Sequence, residues 1–116
     1  MMETISKKYI QVISNSNNTN YILINFYYYK SEDKKGYYLS IQPIHREEKE
    51  GRVYTEFMGF SGYKYFLLEV ARKSKKAENQ AKDIINNNYI YEGMLKQVLE
   101  ENNLMLVNEN DMLIKF

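Results

Sequence analysis

Between Lys8 and Val70 lie several short segments in which apolar and polar side chains alternate with a period close to two, the spacing of strands that bury one face. The cleanest alternation runs from Tyr21 to Lys30. Ile22, Ile24, Phe26 and Tyr28 fall on one face, with Tyr21, Leu23, Asn25, Tyr27 and Tyr29 on the other. Lys8 to Ile13 reads as an edge strand before it, followed by a polar loop from Ser14 to Asn20 whose side chains satisfy turn backbone and bury nothing. Ser31 to Lys35, with Gly36, is a charged hairpin turn. Tyr37 to Ile44 is the next strand, with Tyr37, Leu39 and Ile41 opposite Tyr38, Ser40 and Gln42. Pro43 cannot donate to a ladder, so there the strand lies at an edge or stops pairing. His45 to Gly51 reads as a solvated charged turn. Val53 to Phe60 and Tyr63 to Val70 read as a hairpin around Gly59-Phe60-Ser61-Gly62, whose glycines can take positive φ.

From Ser74 the period lengthens to that of a helix. Ala77, Ala81, Ile84 and Ile85 form one thin stripe, interrupted by Asn86-Asn87-Asn88, and Tyr91, Met94, Leu95, Val98 and Leu99 form a second. Asn88 is the expected N-cap of the second helix. Leu104 to Val107 and Met112 to Phe116, joined by Asn108 to Asp111, read as a closing hairpin. The predicted fold class is α+β: an antiparallel β-meander of about five strands, packed against two consecutive helices and closed by a short C-terminal β-hairpin. A chain of 116 residues supports one core, so residues 1–116 are expected to form a single domain.

Composition narrows the class without naming an activity. Hydrophobic residues at 44% and charged residues at 27% match an ordinary folded protein. With no Cys, a disulfide framework, a zinc-thiolate site and a cysteine nucleophile are all excluded. The opening Met-Met-Glu-Thr-Ile-Ser-Lys-Lys lacks the order of a signal peptide, and no apolar run approaches the ~20 residues that span a bilayer. The expectation is a cytoplasmic protein with no membrane role, in which the glycosylation-like Asn17-Asn18-Thr19 is a chance match. The 12 Tyr and the many Asn fit an A/T-rich coding sequence, so each carries less functional weight by itself.

Net charge is +1, but it is unevenly spread: residues 1–76 hold 13 basic and 8 acidic residues, a net of +5, and residues 77–116 hold 3 and 7, a net of −4. The sharpest feature is the basic segment Arg72, Lys73, Lys75 and Lys76, set where a helix begins. Cations there oppose the helix dipole, forgoing about 0.3–1 kcal/mol per favourable placement. A role on phosphates or acidic side chains would explain that placement, and a solvated linker is the plainer account. The tyrosines Tyr27, Tyr28, Tyr29, Tyr37 and Tyr38 span a predicted hairpin, so some are cross-strand neighbours. Such rings serve sheet packing, protein docking or base stacking. The single histidine, His45, lies near Glu47 and Glu48 but lacks the enclosure and orienting partner that acid/base or metal chemistry needs.

The segments Lys35-Gly36-Tyr37-Tyr38-Leu39-Ser40-Ile41-Gln42-Pro43-Ile44 and Leu67-Leu68-Glu69-Val70-Ala71-Arg72-Lys73-Ser74-Lys75-Lys76-Ala77-Glu78 resemble small accessory proteins of phages and conjugative elements of low-GC Gram-positive bacteria. The resemblance covers residues 27–103. Such proteins include anti-CRISPR and related anti-defence inhibitors, which occupy a surface of a nuclease complex without doing chemistry. The resemblance implies a protein partner, a CRISPR effector or another host nuclease complex, blocked sterically; with no segment that has the residue types and spacing of a catalytic or metal-binding motif, no cofactor, no metal and no catalytic residue are expected. Tyr27, Tyr29, Tyr38, Arg72, Lys73, Lys75 and Lys76 are the expected partner-binding residues. The alternative is a small nucleic-acid-binding protein with the basic residues on phosphates and Tyr27 or Tyr29 on bases. Open sheet edges also allow a homodimer.

Overall fold

Long antiparallel strands, each burying alternate side chains, build the sheet that carries everything else. The computed structural model describes residues 1–14, 19–57 and 62–116. In order these are β1 (Met2–Ser14), β2 (Thr19–Lys30), β3 (Lys35–Lys49), β4 (Arg52–Phe57), β5 (Tyr63–Glu69), α1 (Lys75–Asn87), α2 (Ile90–Glu101), β6 (Leu104–Leu106) and a 3-10 turn over Glu109–Leu113. The fold is α+β, an antiparallel sheet with two helices on one face. The sheet runs β4-β3-β2-β1-β6, and β5 lies beside β4 along the same edge of β3.

That arrangement departs from the expected hairpin between Val53–Phe60 and Tyr63–Val70. Both segments pair with β3 instead: Ile44 to Lys49 oppose β4, and Gly36 to Ile41 oppose β5. The cause is the length of β3, whose 15 residues offer edge enough for two short strands. His45 to Lys49, expected as a turn, are strand. The turn shrinks to Glu50 and Gly51, both with positive φ (53° and 75°), the pattern of a type I′ hairpin. Pro43 falls in the interval between the β5 and β4 pairings, where its missing N–H costs nothing. The expected turn at Gly59, Phe60 and Ser61 and most of the polar loop, 15–18, lie outside the described residues.

Gly62 does not use a positive φ. Its role is close approach, since a Cβ there would stand 2.9 Å from the Ile41 carbonyl and 2.2 Å from Gln42 Oε1. Gly36 is tighter still, with a Cβ position 2.1 Å from the Leu68 carbonyl of β5.

One face of the sheet is covered by helices. Ile10 and Val12 of β1, Ile22, Ile24, Phe26 and Tyr28 of β2, and Tyr37, Leu39 and Ile41 of β3 form a single core with Leu67 of β5. Against them α1 sets Ala77, Ala81 and Ile85, and α2 sets Tyr91, Met94, Leu95, Val98 and Leu99. Truncating one of the larger of these to Ala costs about 2–5 kcal/mol, because the neighbours cannot refill the space.

The helix ends correct two further expectations. Asn88 closes α1 rather than opening α2: its Nδ2 donates to the Ile84 carbonyl at 3.0 Å, and Tyr89, at φ 54°, occupies the α2 N-cap. Only two residues separate the helices, so Asn88 is used up by the first. The expected C-terminal hairpin is not formed among the described residues. Leu104–Leu106 pairs with Val12–Ser14 of β1 instead, and the second arm becomes the 3-10 turn. Phe116 then turns inward, its ring 6.3 Å from Phe26 and 5.5 Å from Tyr91, while both atoms of the Asn86 amide hold its backbone. The ring packs, partly buried, against the core where a strand was expected. No described helix is long and apolar enough to cross a membrane.

Gly36→Ala should force β3 and β5 apart and lower stability by roughly 1–3 kcal/mol, the usual cost of overpacking, read as a reduced denaturant midpoint. Ser74, whose Oγ accepts from the Ala77 N–H at 3.1 Å, caps α1; Ser74→Ala should cost about 1 kcal/mol in the same measurement.

Candidate binding surface

Strand parity sorts the five hairpin tyrosines into two sets with different work. Tyr28 and Tyr37, opposite each other across β2 and β3, point into the helix-covered core, their rings 5.2 Å apart. Each hydroxyl reaches the chain leaving β5: Tyr28 donates to the Val70 carbonyl and Tyr37 to the Ser74 carbonyl, both at 3.2 Å. These two tyrosines therefore tether the basic segment to the helix side of the sheet.

Tyr27, Tyr29 and Tyr38 emerge on the opposite face, where no described helix packs. Tyr27 and Tyr38 are directly paired and stack nearly parallel, centroids 5.4 Å apart at 11°. Tyr29 meets Tyr38 edge-on at 6.3 Å, and Phe66 of β5 meets it at 5.0 Å. Such contacts contribute about 0.5–1.5 kcal/mol each beyond area burial. Their burial differs in a way that decides what is available to a partner: Tyr27 and Tyr38 are each 7% exposed, while Tyr29 is 38% and Phe66 40% exposed. The first pair makes a floor, and the second pair stands free at its edge.

Above that floor lies a concavity of about 460 Å³, walled by Met2, Ser31 and Lys34 on one side and Lys64 on the other. Met2 arrives because β1 pairs it with Tyr29, and it is 54% exposed. The Lys64 ammonium lies 5.6 Å from the Tyr38 ring centroid, within reach of a cation–π contact. Beneath Met2, Asn25 is buried; its Nδ2 lies 3.9 Å from the Met2 sulfur, and its Oδ1 has no hydrogen-bond partner among the described residues. Farther along the same face Arg46 of β3 reaches across β2 to lie 4.6 Å over the Tyr9 ring of β1, a span that curling of the sheet shortens.

The seven residues expected at the site thus divide. Tyr27, Tyr29 and Tyr38 come together, two as floor and one as wall. Arg72, Lys73, Lys75 and Lys76 are all exposed but lie on the helix side, behind the sheet. Lys73 pairs with Glu3 at 3.0 Å and Lys75 with Glu78 at 2.9 Å, so two of the four charges have carboxylate partners on their own side. Met2, Lys34, Lys64 and Phe66 were not expected at the site. Met2 and Phe66 come to the tyrosines through the register of β1 on β2 and of β5 on β3, which no local pattern announces. His45 points to the helix side, its Nδ1 3.4 Å from Asn20 Oδ1.

Burial pushes the Tyr27 phenol above its usual value, and the neighbouring Tyr38 and Tyr29 phenols add to the rise. A neutral phenol held this way is poorly suited to donate or accept protons near neutrality. Because the folded value is raised, the stability linked to neutral Tyr27 is complete below the unfolded value of about 10 and is lost as pH climbs through the folded one. Tyr27→Phe should remove one late-titrating phenol from the ultraviolet absorbance titration and shift alkaline unfolding to higher pH. No protein-family model, no curated protein and no solved structure matches this chain.

Proposed function

We propose that this protein is a non-catalytic interaction module that docks a protein partner on the outer face of its sheet and blocks it sterically. The partner class implied by its resemblance to mobile-element accessory proteins is a host nuclease complex, a CRISPR effector in particular, which makes the chain an anti-CRISPR or related anti-defence inhibitor. The observation that supports docking is the exposed aromatic rim, Tyr29 and Phe66, standing on a packed aromatic floor beside a concavity. Rigid aromatic anchors with few rotatable bonds dominate protein–protein hot spots. The groups gathered there are phenols, a thioether, an alcohol and two ammonium groups, a set better suited to contact than to bond-making.

The arrangement favours a protein over single-stranded nucleic acid. Base stacking on a sheet uses several free ring faces, and Tyr27 and Tyr38 present theirs to each other, which leaves Tyr29 alone of the three tyrosines exposed. Phosphate contacts from Arg72 to Lys76 would fall behind the sheet, away from the rings. The docking reading is tested by co-purification from host cytoplasm and by a plasmid-interference assay, comparing wild type with a Tyr29→Ala/Phe66→Ala double variant. The wild type should recover one protein complex and restore plasmid uptake, and the variant should bind at least roughly tenfold more weakly with its fold intact by circular dichroism. Equal binding by the variant would remove this surface from the account. Recovery of nucleic acid alone would replace the protein partner.

A further inference from the structure

The charges around the concavity are sorted by sign. The turn between β2 and β3 carries Glu32, Asp33 and Lys34 in succession, yet only Lys34 faces the aromatic floor. Glu32 and Asp33 line a separate depression with Lys35 and Glu69. The turn is held firmly enough to keep that sorting: the Ser31 N–H donates to the Lys34 carbonyl at 2.8 Å, and Ser31 Oγ both accepts from the Lys34 N–H and donates to its carbonyl at 3.1 Å. Lys64 stands across the concavity over Tyr38. Among the described residues the wall therefore holds two cations and no carboxylate, with Met2 and Tyr29 exposed beside them.

From this we infer that the concavity takes an acidic protein segment, seating one apolar or aromatic side chain against Met2 and Tyr29 and meeting Lys34 and Lys64 with flanking carboxylates. Cations fixed on opposite sides of a hydrophobic seat select a segment with acids on both sides of its anchor. Like charges in the partner would be repelled at both rims. The inference rests on the docking reading above and adds the chemistry of the partner to it.

The test pans a phage-displayed library of random linear peptides on the immobilised full chain. Enriched peptides are then measured by fluorescence polarisation, with a mixed-sequence single-stranded DNA oligonucleotide as a second probe. Enriched peptides should place Asp or Glu around one aromatic or aliphatic residue and bind more weakly as salt rises. A Lys34→Glu/Lys64→Glu double variant, altered only at exposed positions, should weaken them by roughly tenfold or more. Enrichment of peptides without acids, no enrichment, unchanged affinity on charge reversal, or tighter binding of the oligonucleotide would each overturn the inference. Tyr29→Ala/Phe66→Ala separates the two levels. If it abolishes binding while charge reversal does nothing, the acidic partner fails and docking stands. If it does nothing, enriched peptides bind elsewhere and both fail.

Discussion

The register of β2 against β3 sets Tyr27 opposite Tyr38 and Tyr28 opposite Tyr37, and both faces of the molecule depend on it. In an antiparallel pair a slip of one residue moves every side chain to the other face. A slip here would turn the stacked outer pair toward the helices and expose Ile22, Ile24, Phe26 and Leu39, which are at most 1% exposed in the folded chain. Burial of each such side chain is worth about 1.5–3 kcal/mol, so the register is held by far more energy than the aromatic pairs supply. The outer aromatic surface is in that sense a consequence of the inner one.

The second condition is the shared edge of β3. A hairpin between β4 and β5 would leave Phe66 and Lys64 away from Tyr38. Pairing β5 with Gly36 to Ile41 brings them to it, with a bulge between Tyr37 and Tyr38 absorbing the extra residue Leu67. Leu67 turns into the core, so the irregularity buries an apolar side chain instead of leaving it unused. The glycines at 36 and 62 make the approach feasible, since each stands where a Cβ would meet backbone of the facing strand.

The third is the junction at Ser74. Its carbonyl accepts from Tyr37, its backbone N–H donates to the same hydroxyl at 3.4 Å, and its side chain caps α1. One residue thus joins the sheet core to the helical layer and decides on which side the basic segment lies. The ion pairs of Lys73 and Lys75 are exposed contacts worth roughly 0–1 kcal/mol and follow from that placement without causing it.

The sequence alone determined the elements whose side chains report their own burial. Alternation from Tyr21 to Lys30 and from Tyr37 to Ile44 marked two strands, the stripes of Ala77 to Ile85 and Tyr91 to Leu99 marked both helices, and Pro43 marked the gap between β5 and β4 on one edge of β3, while the other edge stays paired with β2 through it. These are local patterns, since period and propensity act over a few residues. Tertiary structure decided what distant segments do to one another: that β5 returns to β3, that Asn88 serves α1, that Phe116 is drawn into the core where a strand was expected, and that the basic segment lies behind the sheet from the tyrosines. Tyr27, Tyr29 and Tyr38 were legible as a set because one predicted hairpin holds them. Met2, Lys34, Lys64 and Phe66 were not. Met2 and Lys64 reach the concavity and Phe66 reaches Tyr38 through strand pairings, and Lys34 is separated from its acidic neighbours by the geometry of a single turn. Register and turn geometry are settled by the free energy of the whole core, and no short window of residues contains that sum.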